Sequence, residues 1–189
     1  MLATSALSKG IRLFNLADGK EIKTLESANT LRIDVSPDAI HLAAALLEKK
    51  IYIWDLRTNT VAFTLVGHTK YCNDVVFSPG GKMLASISND HNVILWDIEK
   101  AAAIHTFTGH TDDVVSLSYS NDGTMLASSG WDNTLKIWDL RPYNKEMIKE
   151  PPVVSIGVSL VKEEEEAVKK AFNNLTFETG SATIAASSF

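Results

Sequence analysis

The chain repeats a Trp-Asp pair at a fixed interval. The tryptophans of these pairs, Trp54, Trp96 and Trp138, are each 42 residues from the next. Two Gly-His pairs follow the same interval, because His68 and His110 are also 42 residues apart. A period of about 40–45 residues is typical of four-stranded β-propeller blades, which stack because one blade cannot bury its apolar faces alone. The repeat therefore predicts an all-β chain built from stacked blades.

Within each repeat, short apolar runs alternate with turn residues. Pro79-Gly80-Gly81 and Asn121-Asp122-Gly123 are turn sequences that separate the first strand of a repeat from the second. The predicted strands are 75–78, 83–86, 93–96 and 103–108 in one repeat, 117–120, 125–128 and 135–138 in the next, and 61–66 as an outer strand before them. Short strands joined by tight turns predict antiparallel sheets.

With these motifs, the segment from Leu31 to Leu140 resembles the WD-repeat family. The resemblance implies a β-propeller of four-stranded antiparallel blades, either about four blades or part of a larger ring, with one short C-terminal helix. The blade over 31–65 is degenerate, because it lacks the Gly-His pair and has Glu48-Lys49-Lys50 in place of the Asp turn.

The pattern divides the chain into six segments. They are a partial blade of three strands (1–28), a degenerate blade (29–66), a regular blade (67–108), a blade with an irregular insertion from 141 (109–161), a short helix (162–173) and two strands of a closing blade (174–189). Three central blades and one shared blade make about four, which is fewer than WD-repeat rings usually have. We therefore expect part of a larger ring, or a ring that other chains complete.

Two repeats each contain a His, a Ser, an Asp and a Trp at matching positions. In WD-repeat proteins the matching residues form a buried hydrogen-bond network, so the resemblance implies two structural tetrads and not two hydrolase sites. The tetrads are His68, Ser86, Asp90 and Trp96 in one repeat, and His110, Ser128, Asp132 and Trp138 in the next. We expect no catalytic residue, no metal site and no cofactor.

Composition narrows the classes of partner. The net charge of −5 disfavours direct binding to nucleic acid. The single cysteine, Cys72, lies in an apolar run and is predicted to be a core residue. Neither a signal peptide nor an apolar run long enough for a membrane helix is present in the sequence, so we expect a nuclear or cytoplasmic protein.

The resemblance also implies a surface that binds other proteins. In similar proteins, partners contact residues at the start of the inner strands and just before the turn Asp. By repeat register these positions are Leu31, Tyr71, Asn73, Asn89, Asp113, Val115 and Trp131. Trp131 is the strongest candidate, since an exposed Trp is a favoured residue at the energetic centre of interfaces. The alternative is that Trp131 packs against the neighbouring loop or against the insertion after Leu140.

Two narrower resemblances remain open. The stretch from Gly109 to Val114 and the later Trp138-Asp139 pair resemble the WD-repeat subunits of the general transcription factor TFIID. Alternatively, Arg57 and Arg141 each follow a Trp-Asp-Leu sequence, as in the Trp-Asp-x-Arg box of substrate receptors for cullin-type ubiquitin ligases. That second resemblance implies that the two arginines dock a ligase adaptor.

Overall fold

The computed structural model describes residues 1–7, 9–27 and 29–143. Within these residues the chain forms fourteen β-strands and one short 3-10 helix, arranged in four antiparallel sheets. The first sheet contains β1 (Leu2–Ala6), β2 (Gly10–Phe14) and β3 (Glu21–Leu25). The second contains β4 (Thr30–Val35), β5 (His41–Leu46), β6 (Lys50–Asp55) and β7 (Thr60–Val66).

The third and fourth sheets come from the two regular repeats. The third contains β8 (Cys72–Phe77), β9 (Met83–Ser88), β10 (Val93–Asp97) and β11 (Ala102–Phe107). The fourth contains β12 (Val114–Tyr119), β13 (Met125–Gly130) and β14 (Leu135–Asp139), and the 3-10 helix Arg141–Tyr143 follows it. In every sheet the strands pair in the order in which they occur along the chain.

The apolar cores lie between neighbouring sheets. Because successive side chains of a strand point to opposite faces, β5 sends Leu42 and Ala44 toward the first sheet and Ala43 and Ala45 toward the third. Likewise, β9 sends Leu84 toward the second sheet, while its neighbours Met83 and Ala85 pack against the fourth. All six residues of β9 are buried, which is expected for a strand with a sheet on each face.

The inner strands hold adjacent sheets together. β8 contacts β4 of the sheet before it and β12 of the sheet after it. The backbone of one inner strand also bonds to its neighbour, because Phe77 N donates to the Asp34 carboxylate over 2.7 Å. The sheets are therefore arranged side by side with their first strands adjacent, as in a propeller.

The turns follow the same repeat as the sequence. Ala39, Gly81 and Gly123 are 42 residues apart, and all three have positive φ angles, of 57°, 71° and 70°. This left-handed conformation suits glycine and is strained for alanine. The degenerate second blade therefore has the same turn as the regular blades, although its sequence lacks the preferred residue there.

The fold class predicted from the sequence is confirmed: the described residues are almost entirely β-strand, in sheets of three or four strands. No helix within the described residues is long and apolar enough to cross a membrane. The predicted short helix at 162–173 and the two closing strands at 174–189 lie outside the described residues.

Candidate interaction surface

One end of the sheets brings together most of the sequence-predicted interaction residues. Because each sheet is an antiparallel meander, the turns that follow β5, β9 and β13 share this end with the connections that precede β8 and β12. We call this end the loop face. It is formed by the turns 47–49, 89–92 and 131–134 and by the connections 67–71 and 108–113.

The first tetrad anchors the connection before β8. His68 Nδ1 lies 3.0 Å from Asp90 Oδ2, and His68 Nε2 lies 2.7 Å from the Ser86 hydroxyl. The Trp96 indole N–H donates to the same hydroxyl over 2.8 Å. Since an indole N–H can only donate, the hydroxyl can accept from Trp96 and donate to His68, so His68 Nδ1–H donates to Asp90. The network joins two strands, the turn between them and the connection before β8 in the third sheet.

The second tetrad repeats this geometry in the fourth sheet. His110 Nδ1 lies 2.8 Å from Asp132 Oδ2, and His110 Nε2 lies 2.9 Å from the Ser128 hydroxyl. The Trp138 indole N–H donates to Ser128 over 2.9 Å. The structure therefore brings each predicted set of four residues together within one blade.

Both tetrads are buried. Ser86 and Ser128 are 0% and 2% exposed, and His68 and His110 are each 6% exposed. A catalytic serine needs room for a substrate and an oxyanion hole beside it. Hydroxyls buried in this way are suited to holding strands together and are not accessible for nucleophilic attack.

Hydrogen bonds keep the tetrad carboxylates ionised. Burial raises the pKa of Asp90, but hydrogen bonds from His68 and from Thr69 N–H outweigh it and lower the pKa from 3.8 to about 2. Burial and hydrogen bonds compete in the same way at Asp132, where the pKa is also below its usual range. The stabilisation by Asp90 is therefore present above pH 3.8 and is lost as the pH falls toward 2.

The second blade has the tetrad tryptophan without its acceptor. The Trp54 indole nitrogen is buried and has no hydrogen-bond partner. In the regular blades, the serine that accepts from the indole is ten residues before the tryptophan, and Ala44 occupies that position here. The sequence contains this signal, because the spacing from Trp96 to Ser86 can be applied to Trp54.

The predicted interaction residues divide into two groups. Tyr71, Val115 and Trp131 are exposed, with exposed fractions of 50%, 39% and 68%. The others, Leu31, Asn73, Asn89 and Asp113, are partly buried. Among these, the side-chain amide of Asn73 donates to Asn89 Oδ1 over 2.5 Å and to the carbonyl of Val114 over 2.8 Å, so it connects the third sheet to the fourth.

Backbone hydrogen bonds fix the exposed aromatic residues. Asn89 N donates to the Tyr71 carbonyl over 3.1 Å, and Trp131 N donates to the Asp113 carbonyl over 2.9 Å. The tetrad carboxylates also accept from these connections, since Asp90 bonds Thr69 N over 2.8 Å. The loop face therefore presents its exposed aromatic side chains from anchored backbone.

Two groups of charged side chains on the loop face were not predicted from the sequence. Lys49 and Lys70 lie beside Tyr71 and Asn89 around one cavity. On the fourth sheet's side, ligand atoms of His91, Asp112 and Asp113 lie within 4.8 Å of one another. No sequence signal identifies these groupings, because each combines residues from separate turns and connections.

The two predicted adaptor-docking arginines lie at the opposite end of the sheets, after β6 and β14. Arg57 pairs with Asp55 over 2.6 Å, and Arg141 pairs with Asp139 over 2.7 Å. Both arginine side chains remain about two-thirds exposed, at 67% and 66%.

Cys72 is fully buried, and burial raises the pKa of its thiol, so the structure places it in the core.

Replacing Ser86 with alanine tests the first tetrad. We expect Ser86→Ala to lower the free energy of unfolding by about 1–3 kcal/mol, because it leaves the buried His68 and Trp96 nitrogens without their shared partner. Chemical denaturation provides the measurement. Ser116→Ala, at an exposed position in β12, is the matched control and should change little. Equal effects of the two substitutions would contradict a stabilising role for the tetrad.

Adding the missing hydroxyl tests the degenerate blade. We expect Ala44→Ser to be better tolerated than Ala43→Ser by about 1–3 kcal/mol, because only the first hydroxyl can accept from the unpaired Trp54 indole. Both alanines are fully buried on the same strand, so the two variants differ chiefly in that partner. Thermal unfolding of the two proteins makes the comparison, and a less stable Ala44→Ser protein would be the contrary result.

Two segments of the chain match a known family of repeats. The family model described as "WD domain, G-beta repeat" matches residues 59–97 and 102–139. Each match begins with the outer strand of one sheet (β7 or β11) and continues through three strands of the next sheet. The sequence repeat is therefore offset from the blade by one strand, so each repeat links two consecutive blades.

Several relatives have short matching regions. The mouse U5 small nuclear ribonucleoprotein 40 kDa protein is 34% identical over 61 residues, which is 32% of this chain and 17% of the relative. Cilia- and flagella-associated protein 52 of Sus scrofa is 26% identical over 46% of this chain and 14% of its own length. Nuclear distribution protein PAC1 of Coccidioides posadasii is 44% identical over 29% of this chain and 11% of its own.

These matches cover less than a fifth of each of the three relatives. The matching regions and the sheets of the structure indicate the same kind of repeat. Residues 59–97 and 102–139 match the WD-repeat family model, and the antiparallel sheets that they help to build have the arrangement of WD-repeat propeller blades.

Proposed function

We propose that this chain is a non-catalytic scaffold that binds other proteins through its loop face, as part of a multiprotein complex in the nucleus or cytoplasm. The observation that carries the proposal is the presence of exposed Tyr71, Val115 and Trp131 on one face of the blades. Large aromatic side chains contribute much of the binding energy at protein interfaces, and here they extend from backbone that is already ordered.

The similarities support this class of function. One relative is named as a protein of a small nuclear ribonucleoprotein, and another as a protein associated with cilia and flagella. Both names describe proteins that belong to larger assemblies. The chain's own charge favours protein partners over nucleic acid, since the net charge is −5 and Asp112 and Asp113 lie on the loop face.

Substitution of Trp131 tests the scaffold function. We expect Trp131→Ala to reduce the recovery of co-purifying proteins by about tenfold, as for the loss of a residue at the energetic centre of an interface. Quantitative mass spectrometry of proteins captured by the tagged chain provides the measurement. Leu16→Ala is the matched control, because Leu16 is 69% exposed but lies in the β2–β3 turn at the opposite end of the sheets. Loss with Leu16→Ala and not with Trp131→Ala would contradict the proposal.

Two narrower functions remain as alternatives. In the first, the chain is a subunit of a TFIID-like transcription complex, which rests on the resemblance around Gly109–Val114. In the second, it is a substrate receptor of a cullin-type ubiquitin ligase, and the observation in its favour is that Arg57 and Arg141 extend from the same end of the sheets with similar exposure.

The ligase alternative predicts that the purified adaptor binds the chain. It also predicts that Arg57→Ala and Arg141→Ala together reduce this binding by about tenfold, because each change removes a charged contact. Lys20→Ala is a suitable control, since Lys20 is also an exposed, ion-paired cation at this end of the sheets. Direct binding measured by biolayer interferometry distinguishes the outcomes, and absence of binding by the unmodified chain would exclude this alternative.

A further inference from the structure

A surface cavity of about 310 Å³ opens on the loop face between the second and third blades. Its lining contains Lys49, Lys70, Tyr71 and Asn89. Lys49 belongs to the turn after β5, Lys70 and Tyr71 belong to the connection before β8, and Asn89 begins the turn after β9. Two neighbouring blades thus supply one site, and neither blade could form it alone.

The backbone around the cavity is held in place. Lys49 has a positive φ of 64°, at the position that His91 occupies in the next blade with a φ of 67°. On the other wall, Asp90 accepts from Thr69 N directly before Lys70, and Asn89 N donates to the Tyr71 carbonyl. The wall that carries Lys70 is therefore held by hydrogen bonds before any ligand arrives.

The cavity is rich in hydrogen-bond donors. Within the described residues, neither the Lys49 nor the Lys70 side chain has an ion-pair partner, whereas Lys20 and Lys100 are paired with aspartates. Asn89 lines the cavity, and its Oδ1 accepts from the Asn73 amide, so the N–H groups of the Asn89 amide are its remaining donors. Two ammonium groups, an amide and a phenol favour a ligand that mainly accepts hydrogen bonds.

We propose that this cavity binds a carboxylate side chain from an acidic segment of a protein partner. The proposal rests on the scaffold function above and names the chemistry of one contact. The ammonium groups of Lys49 and Lys70 pair with the carboxylate, and the half-exposed Tyr71 ring packs against the methylene groups beside it.

A protein ligand suits the site better than a nucleic acid. Nucleic-acid binding by neutralisation of phosphates normally uses a stripe of several cations, and this cavity contains two. Beyond the cavity, Asn73 bonds to Val114, and the carboxylates of Asp112 and Asp113 come directly before that residue. A long polyanion that extended across the face would meet these negative charges, whereas a short acidic segment need not reach them.

Fluorescence anisotropy of the full chain with a labelled peptide of about eight glutamates tests the proposal. We expect saturable binding that weakens as salt is raised, because exposed ion pairs are screened. We expect Lys49→Glu with Lys70→Glu to weaken binding by about tenfold or more, and Lys49→Arg with Lys70→Arg to retain it. Lys9→Glu with Lys23→Glu makes the same change in net charge on exposed lysines of the first sheet, and it should have little effect.

Several outcomes would overturn the proposal. Equal loss in the two glutamate double variants would mean that net charge alone governs binding, and no binding by the unmodified chain would mean that the cavity takes no carboxylate. The proposal would also be wrong if a single-stranded RNA or a phosphoserine peptide bound in a Lys49- and Lys70-dependent manner while the glutamate peptide did not bind. Circular dichroism of each variant verifies that it folds. If glutamate binding fails while Trp131-dependent capture persists, the cavity assignment is wrong and the scaffold function stands.

Discussion

The second and third sheets each have a neighbouring sheet on both faces, and the burial of both faces is the constraint on which this structure depends. A single sheet of this chain has no core of its own, because its apolar side chains alternate between two neighbours. β5 and β9 show the consequence most clearly: almost every residue is buried, and small residues such as Ala43, Ala44 and Ala85 lie in the cores between neighbouring sheets. In the sequence, these strands are runs of small and apolar residues without regular polar–apolar alternation, as expected where a sheet lies on each face.

The two outer sheets show what happens where that constraint ends. In the fourth sheet, Leu126 and Trp138 are buried against the third sheet, while Met125 and Leu135 are 47% and 67% exposed. In the first sheet, Ile11 and Leu13 are buried, while Ile22 is 57% exposed. Exposed apolar faces of this kind are surfaces on which further protein can pack. Completion of the ring by other segments or chains stays a prediction that these faces make physically reasonable.

Much of the fold could be predicted from the sequence, since the 42-residue period, the turn residues and the strand alternation are all local signals. The tetrad positions followed from the resemblance, and the side chains of His68 and Ser86 do meet Asp90 and Trp96. The cavity between Lys49 and Lys70 could not be found in this way, because it depends on the distance between two blades. The unpaired Trp54 indole is an intermediate case. The missing serine can be found from the local sequence, but the free-energy cost of the unpaired indole follows from the burial of Trp54, which only the structure shows.

The tetrads connect the stability of the blades to the chemistry of the loop face. The carboxylate that orients His68 also accepts from Thr69 N, and the residues that follow directly are Lys70 and Tyr71. In the next blade, Asp132 accepts from Thr111 N, directly before Asp112 and Asp113. A buried network thus fixes the connection that carries Lys70 and Tyr71 in one blade and the connection that carries Asp112 and Asp113 in the next. Since ordering of loops is a large part of the free-energy cost of binding, the same hydrogen bonds that hold the strands together lower the cost of recognising a partner.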